Sequence, residues 1–144
     1  MPDIIHEFPI AAPLARVYAA VSTPAGLDQW WTLRSDGVPG FNALYSLDFG
    51  PGYEWRAHVR ECEKDQCFEL ELVEAMPDWI GTRVRFELTA IDDEHTQVLF
   101  RHIGWPALSE HFAVSSFCWA MYLRIMRRAL EFGEVVPFDA RLEV

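Results

Sequence analysis

The sequence is poor in positive charge. Lysine is nearly absent, with Lys64 as the only example, and 12 Lys and Arg residues stand against 22 Asp and Glu, so the formal net charge at pH 7 is −10. A surface of this sign repels the phosphate backbone of DNA and RNA. The composition therefore argues against a nucleic-acid-binding protein.

Long apolar runs and regularly spaced cysteines are also missing. No segment approaches the ~18 to 20 apolar residues that a membrane-spanning helix needs. The start of the chain, with Asp3 and Glu7, lacks the basic opening and the cleavage site of a signal peptide. The three cysteines lack the spacing of a metal site, and their odd number suits a reducing compartment better than an exported disulfide scaffold. We therefore expect a cytoplasmic protein that does not insert into a membrane.

Apolar and aromatic side chains, in contrast, are abundant. Hydrophobic residues make up 51% of the chain and aromatic residues 14%, with six Trp and ten Phe. A chain of 144 residues can bury enough of this surface to form a core without disulfide or metal support. No internal repeat, low-complexity tract or linker divides the sequence. We therefore predict a single domain over residues 1–144.

The middle of the chain alternates between apolar and polar residues. The alternation covers residues 53–62, 68–72, 82–91 and 95–103. This period is typical of antiparallel strands with one apolar and one wet face. Along the wet face, basic and acidic strands alternate, as cross-strand ion pairing favours. Residues 3–10 predict a further short strand, which Pro9 places at a sheet edge or a strand end.

Two short helices and one long helix complete the pattern. Pro13 suits the first turn of one short helix, and Thr23, followed by proline, caps a second segment that ends at Trp31. Residues 108–132 contain no Pro or Gly before Gly133 and repeat apolar residues at helical spacing, as a long amphipathic helix does. Because this helix can cover the apolar face of the sheet, the fold class is α+β.

Four stretches resemble a known family in their order and spacing. They are residues 6–13 leading into Val17 and Tyr18, residues 23–31, residues 96–106 and residues 117–133. The sequence resembles the START/SRPBCC superfamily and, within it, the bacterial relatives of the activator of heat-shock protein 90 ATPase. The resemblance spans nearly the whole chain. It implies a helix-grip fold, in which a curved antiparallel sheet of about seven strands wraps around the long C-terminal helix, with two short helices after the first strand.

The resemblance also implies a cavity between sheet and helix for a hydrophobic small molecule, such as a lipid, a polyketide or an aromatic metabolite. The alternation directs large rings toward that interior, and small residues on the long helix leave room opposite them. The candidate ligand-binding residues are Trp31, Trp55, Phe68, Phe86, Phe100, His102, Phe112, Ser115, Ser116 and Trp119. For each ring taken alone, ordinary core packing is the competing interpretation.

Two residues are candidates for acid–base chemistry. His102 is in phase with Val98 and Phe100 at the end of the last strand, and hence points inward. It is either a core histidine bonded to the backbone or a group at the cavity mouth that orients a ligand or transfers a proton. Glu61, in phase with Val59, is a weaker candidate for a general base.

Motifs for a cofactor or a metal ion are absent from the sequence. Nothing resembles a Ser-His-Asp nucleophile elbow, a phosphate-binding loop or a dinucleotide fingerprint. His6 is a second histidine in the inward phase, but no strand register supplies a third ligand, and His111 would join only by a coincidence of geometry. We therefore expect no cofactor and no metal site.

The cysteines are expected to be free thiols. Cys62 and Cys67 flank a four-residue turn and are predicted to lie directly opposite each other, which permits a disulfide by geometry. In a reducing cytoplasm, two free thiols are the preferred interpretation. Cys118 lies on the long helix without a neighbouring cation and is expected to be a small core residue, not a nucleophile.

These observations leave three functions open. The first is a cytoplasmic binding protein that holds a hydrophobic small molecule between sheet and helix. The second is a cyclase- or hydrolase-type enzyme, in which His102 or Glu61 moves a proton in the same cavity. The third, a chaperone-associated interaction domain, ranks last because 144 residues leave no room for the separate domain with which the eukaryotic activator grips its chaperone. Superfamily members include carriers and enzymes, and homodimers are common among them, so the fold alone does not decide.

Overall fold

Seven strands form one antiparallel sheet in a computed structural model that describes residues 1–144. The strands are β1 (Ile4–Ile10), β2 (Arg34–Asp36), β3 (Leu44–Asp48), β4 (Glu54–Glu63), β5 (Cys67–Glu74), β6 (Arg83–Asp92) and β7 (His95–Ile103). Their order across the sheet is β1-β7-β6-β5-β4-β3-β2. Strands β2 to β7 therefore follow one another as a meander, and β1, which contains Pro9, is an edge strand as predicted.

Three α-helices and two short 3-10 helices accompany the sheet. The α-helices are α1 (Leu14–Ser22), α2 (Pro24–Leu27) and α3 (Glu110–Phe132), and the 3-10 helices are Pro77–Trp79 and Phe138–Glu143. The two short helices after β1 and the long helix near the C-terminus confirm the α+β helix-grip fold. None of the helices contains the extended apolar stretch that a membrane-spanning segment requires.

Local capping sets the ends of the helices. Thr23 accepts a hydrogen bond from the backbone N–H of Gly26, and Ser109 accepts one from Phe112, so α3 begins at Glu110, two residues later than predicted. At its other end, Gly133 adopts a left-handed φ of 68°, which ends the helix as predicted. The second short helix already ends at Leu27, and the chain continues to Trp31 as turns, not as helix.

The apolar alternation forms the inner face of the sheet. Val98, Phe100 and His102 are all fully buried, in agreement with the predicted phase of the last strand. Helix α3 packs across this face, where the rings of Trp119 and Phe100 have centroids 4.6 Å apart. The sheet and helix thus bury one continuous core between them.

The outer face of the sheet carries the charges. Arg60 on β4 pairs with Glu71 on β5 at 2.9 Å, and Arg101 on β7 pairs with Glu87 on β6 at 3.8 Å. Arg60 and Glu71 join neighbouring strands of opposite charge, as predicted, whereas the outer faces of β6 and β7 both carry arginines and Arg85 lies directly opposite Arg101.

The predicted inward phase of Glu61 is wrong because β4 contains a bulge. Val59 pairs with Leu70 and Glu61 pairs with Glu69, so two residues of β4 span a single step of β5. An inserted residue of this kind reverses the face on which the following side chains lie. Glu61 therefore lies on the outer face, where Arg85 donates a hydrogen bond to its carboxylate.

The predicted strand register, with Cys62 directly opposite Cys67, is also wrong. The hairpin loop contains three residues, not four, and Asp65 takes a left-handed φ of 62° within it. As a result, Cys62 pairs with Phe68, whereas Cys67 pairs with Glu63. Neighbouring residues of a strand point to opposite faces, so the two thiols are on opposite sides of the sheet. Both are free, as is Cys118.

Candidate ligand-binding cavity

A cavity of about 410 Å³ opens beside the first half of α3. Its walls come from the turn after α2, the β3–β4 hairpin, the first 3-10 helix, α3 and the second 3-10 helix. The lining residues are Trp31, Phe49, Tyr53, Trp55, Met76, Trp79, His111, Val114, Ser115, Cys118, Trp119, Tyr122, Phe138 and Leu142. None of them is Lys, Arg, Asp or Glu, so a ligand that enters meets an uncharged, largely aromatic surface.

Four tryptophans form the inner wall of the cavity. Trp119 lies 5.1 Å from Trp31 and 5.8 Å from Trp79 between ring centroids, and Trp79 lies 5.1 Å from Trp55. Trp119 and Trp79 are nearly parallel, with 21° between their planes. Because each ring is braced by another, the wall is preformed and presents both faces and edges of indoles to a ligand.

His102 stands behind this wall and holds Trp119 in place. The indole N–H of Trp119 donates to Nδ1 of His102 at 3.0 Å, and Nε2 of His102 lies 2.7 Å from the Thr82 hydroxyl. An indole nitrogen is only a donor, so Nδ1 must be the acceptor and Nε2 must carry the proton. The Thr82 hydroxyl in turn donates to the carbonyl of Trp79 at 2.6 Å. One chain of hydrogen bonds therefore connects two of the wall tryptophans.

Burial keeps His102 neutral. Desolvation, with a smaller contribution from the charge of His111, lowers the pKa of His102 from its ordinary value of 6.5 to about 3. Its inward orientation agrees with the sequence analysis, but its partners are side chains and not the backbone. His102 does not line the cavity, and both of its nitrogens are bonded within the protein. In this arrangement it supports the wall and has no free position for a substrate proton.

Glu61 lies on the other side of the sheet from the cavity. The hydrogen bond from Arg85 lowers the pKa of its carboxyl group below the usual value. A carboxylate that is ion-paired on the outer face cannot reach a molecule bound between sheet and helix. The structure thus removes the basis on which Glu61 was considered as a general base.

The structure brings four of the predicted ligand-binding residues together. Trp31, Trp55, Ser115 and Trp119 line the cavity. Ser115 is only 6% exposed, and its hydroxyl forms no hydrogen bond with another protein group, so it is free to meet a polar atom of a ligand.

The other predicted residues lie outside the cavity walls. Phe68, Phe86 and Phe100 are at most 1% exposed and pack in the core below the wall. Phe112 packs edge-on against Trp105 at 5.4 Å, and the hydroxyl of Ser116 lies 3.4 Å from Nε2 of His6 near the edge strand. Alternation correctly indicated that the strand residues point inward, but it does not say which inward rings face a void.

Several lining residues were missed by the sequence analysis. His111, Cys118 and Tyr122 follow the same helical spacing as Ser115 and Trp119, so that spacing was a signal that could have found them. Cys118 is accordingly a half-buried wall residue, not the core residue that was expected. Val114, also on α3, and Tyr53, in the alternating residues 53–62, carried a periodic signal as well. The remaining lining residues come from loops and 3-10 turns and carry no periodic signal. They are Phe49, Met76, Trp79, Phe138 and Leu142.

One end of the cavity is polar. Nδ1 of His111, in the first turn of α3, lies 3.1 Å from a carboxylate oxygen of Asp78 in the first 3-10 helix. The two side chains are 30% and 41% exposed, and of the two only His111 lines the cavity, so its imidazole is a polar wall group that water can reach. A ligand with a polar group at one end can therefore bond to His111 or Ser115 while its apolar part lies among the tryptophans.

Comparison with known sequences points to one family. The family model described as Activator of Hsp90 ATPase homolog 1-like protein matches residues 11–131. No curated protein sequence matches the chain. The matched residues contain the whole sheet apart from β1, together with all of α3 except its last residue.

Solved structures with the same fold come from several bacteria. The chain is similar to the Aha1 dimer from Colwellia psychrerythraea, with 27% identity, a TM-score of 0.83 and coverage of 93% of this chain and 99% of that one. It shares 20% identity and a TM-score of 0.74 with CalU16 from Micromonospora echinospora, over 96% and 72% of the two chains. DynU16, a protein of the dynemicin biosynthetic locus, gives 21% identity and a TM-score of 0.75, over 92% and 48%.

Proposed function

This chain belongs to the family of Activator of Hsp90 ATPase homolog 1-like proteins, and on that basis we propose that it binds a neutral hydrophobic small molecule in its aromatic cavity. The observation that carries the proposal is the cavity of about 410 Å³ whose walls contain no Lys, Arg, Asp or Glu. Its volume lies within the range of about 300–1,000 Å³ that is usual for small-molecule sites.

The chemistry of the walls favours a ligand with aromatic rings and no charge. Ring pairs contribute about 0.5–1.5 kcal/mol each beyond the burial of apolar area. A charged group, in contrast, would lose its hydration in this cavity without gaining an ionic partner. The polar end at His111 and Ser115 suits one or two hydroxyl or carbonyl groups. An aromatic polyketide or a similar aromatic metabolite has these properties.

A structural neighbour supports a small-molecule ligand. DynU16 is a protein of the dynemicin biosynthetic locus and shares the fold of this chain. A fold found in a biosynthetic locus is compatible with the binding of a small molecule, and the tryptophan-lined cavity supplies an aromatic surface for one here. The proposal keeps the single domain over residues 1–144 and the cytoplasmic location that are expected from the sequence.

A matched pair of dyes tests the proposal. N-phenyl-1-naphthylamine is neutral, and 8-anilino-1-naphthalenesulfonate is the same ring system with a sulfonate. Fluorescence titration is expected to show micromolar binding of the neutral dye and at least roughly tenfold weaker binding of the sulfonate, which corresponds to about 1.4 kcal/mol. Equal affinity for the two dyes, or no binding of the neutral one, would contradict an uncharged aromatic site.

Two variants show whether the dye occupies this cavity. Trp55 is a half-buried wall residue in contact with Phe49 and Trp79, so that Trp55→Ala removes stacking surface with little risk to the fold. We expect this substitution to weaken binding of the neutral dye by about tenfold. Phe132→Ala is the control, because Phe132 is 70% exposed and lies outside the cavity. If both variants bind the dye like the unmodified protein, the dye binds elsewhere.

The natural ligand can be sought in the purified protein itself. A native mass spectrum is expected to retain an added mass of a few hundred daltons, which is lost in denaturing solvent. A ligand with a carboxylate or phosphate would contradict the proposed class.

A proton-transfer enzyme is the second candidate, and the contact between His111 and Asp78 favours it. When Nδ1–H of His111 donates to the carboxylate, Nε2 remains as an acceptor for a proton of the ligand. His111 would thus be the base, in place of His102 or Glu61. Benzoylacetone in D₂O provides a test, since the base removes a proton from its central CH₂ and returns a deuteron. Catalysed exchange that is lost in His111→Gln would support this activity.

We also propose that the chain forms a homodimer, as the similar protein from Colwellia psychrerythraea does. Light scattering coupled to size exclusion is expected to give twice the mass of 16.6 kDa. A monomer at every concentration would contradict this part of the proposal.

A further inference from the structure

The C-terminal segment after α3 closes one side of the cavity. Residues 134–144 leave the helix at Gly133 and form the second 3-10 helix, from which Phe138 and Leu142 contribute to the walls. The family match ends at residue 131. This side of the cavity therefore belongs to a part of the chain that the family model does not describe.

Arg141 provides the polar attachment of this segment. Its guanidinium donates to the backbone carbonyls of Asp28 at 2.8 Å and Thr32 at 3.1 Å, and to Val136 within the segment at 3.1 Å. Residues 135–144 form no other hydrogen bond with the rest of the chain. The segment is thus fastened to the turn after α2 by the two bonds of a single side chain.

Because Arg141 is charged and buried, its hydrogen bonds stabilise one position of the segment, the one in which the carbonyl acceptors are within reach. Arg141 is only 3% exposed, takes part in no ion pair and stays charged. A buried charge that forms no direct ion pair needs its carbonyl acceptors, and the ring of Phe138, 5.4 Å from the guanidinium, adds a cation–π contact. If the segment lifts, water can solvate both the guanidinium and the carbonyls, so opening leaves no polar group unsatisfied.

Each of the two residues that form the attachment, Arg141 and Thr32, is adjacent in the sequence to a residue of the cavity wall. Thr32 follows the wall residue Trp31, and Arg141 precedes the wall residue Leu142. Movement of Arg141 away from Thr32 therefore moves Leu142 and Phe138 away from Trp31.

We propose that residues 134–144 are a strap that completes the binding cavity, and that Arg141 is the positioning residue that holds the strap shut. The strap then determines how fast a ligand enters and leaves, and it limits the length of the molecules that fit. This inference rests on the proposed binding function, but closure of the strap can be tested without a ligand.

Stopped-flow binding of N-phenyl-1-naphthylamine tests the kinetic part. Arg141→Gln keeps a polar side chain but loses the charge and the planar fork of donors. We expect association and dissociation rates to rise together by about tenfold, because the cavity is open for a larger fraction of time. Arg124→Gln is the matched control, since Arg124 is an exposed arginine of α3 that lies outside the cavity and forms no hydrogen bond or ion pair with the strap. Rates in Arg141→Gln that equal those of the control would overturn the inference.

Alkylation by N-ethylmaleimide tests closure in the absence of any dye. Cys118 lines the cavity, whereas Cys67 is 7% exposed on the outer face of the sheet. Peptide mapping is expected to show faster modification of Cys118 in Arg141→Gln and an unchanged rate at Cys67. A parallel rise at both cysteines would mean general loosening and would overturn the strap. If the dye fails to bind the unmodified protein but Cys118 responds as expected, the proposed function fails and the strap stands.

A change at Leu142 tests the effect on ligand length. Diphenylhexatriene is a neutral rod that is longer than N-phenyl-1-naphthylamine. We expect Leu142→Ala to shift the ratio of the two affinities by about fivefold in favour of the rod. An unchanged ratio would overturn the role of the strap in selectivity, because a change that only loosens the protein weakens both dyes alike.

Discussion

At the scale of single residues, His102 illustrates how a buried polar group serves an apolar site. Its two nitrogens join Trp119 of α3 to Thr82, and Thr82 joins the carbonyl of Trp79. Each partner completes the hydrogen bonding of the next, so the network costs little in desolvation. The benefit is a fixed orientation for the indole of Trp119 and a fixed backbone position for Trp79.

The neutral state of His102 predicts a pH dependence of stability. The pKa of His102 is about 3 in the folded state, against an ordinary value of 6.5. Between these values the unfolded chain binds a proton that the folded protein does not, so stability is complete above pH 6.5 and falls as the pH decreases toward 3. The slope for this group is at most about 1.4 kcal/mol per pH unit.

Urea unfolding at several pH values can isolate this contribution. His102→Gln keeps hydrogen-bonding atoms but does not titrate. We expect the variant to be less stable than the unmodified protein at pH 7, by about 1–3 kcal/mol, because the bonds to Trp119 and Thr82 are imperfectly replaced. The difference should shrink as the pH falls from 6.5 to 4.5. A constant difference over that range would show that His102 titrates equally in both states.

At the scale of elements, the contact between α1 and α2 depends on a glycine. A Cβ atom at Gly26 would lie 2.2 Å from the carbonyl oxygen of Ala19 and 2.6 Å from Cα of Ala20. Both are backbone atoms of α1, so they cannot move aside as a side chain would. Gly26 thus allows the close approach of the two helices that places Trp31 against the cavity.

Gly26→Ala is therefore expected to destabilise the protein by at least about 1–3 kcal/mol. Gly40→Ala provides a control, since a Cβ atom at Gly40 would meet nothing within 4 Å. That substitution should change the free energy of unfolding by no more than about 0.5 kcal/mol. Thermal or urea unfolding measures both, and equal effects would contradict the close contact described here.

At the scale of the whole molecule, charge and apolar surface are separated. The arginines of the sheet are paired with carboxylates on the outer face, whereas the cavity has an uncharged lining. The formal net charge of −10 acts on any charged ligand that approaches. A long-range field of this kind is screened by salt, but burial of apolar rings is not.

Salt is therefore expected to act differently on the two dyes. Raising NaCl to ~1 M shortens the screening length to about 3 Å and should strengthen binding of the sulfonate dye by a few-fold. Binding of N-phenyl-1-naphthylamine should weaken or strengthen by less than twofold. Fluorescence titrations of both dyes at low and high salt measure these affinities. An equal response to salt would show that the two affinities do not differ because of charge.

The local pattern of apolar and polar residues determined which side chains lie between the sheet and α3. Alternation placed Val98, Phe100 and His102 on one face of the last strand, and helical spacing placed Trp119 opposite them. These signals are local because the direction of a side chain follows from its position within its own strand or helix. The α+β class and the two short helices followed from the same kind of evidence, together with the family resemblance.

Only the tertiary structure decided where the cavity lies and which residues reach it. One bulge in β4 moved Glu61 to the outer face, and a three-residue loop separated Cys62 from Cys67. Phe138 and Leu142 reach the cavity because the strap folds back across α3, and His102 is occupied because Thr82 and Trp119 meet it. Such contacts join residues far apart in the chain, and their existence depends on how whole elements pack, which no local period encodes.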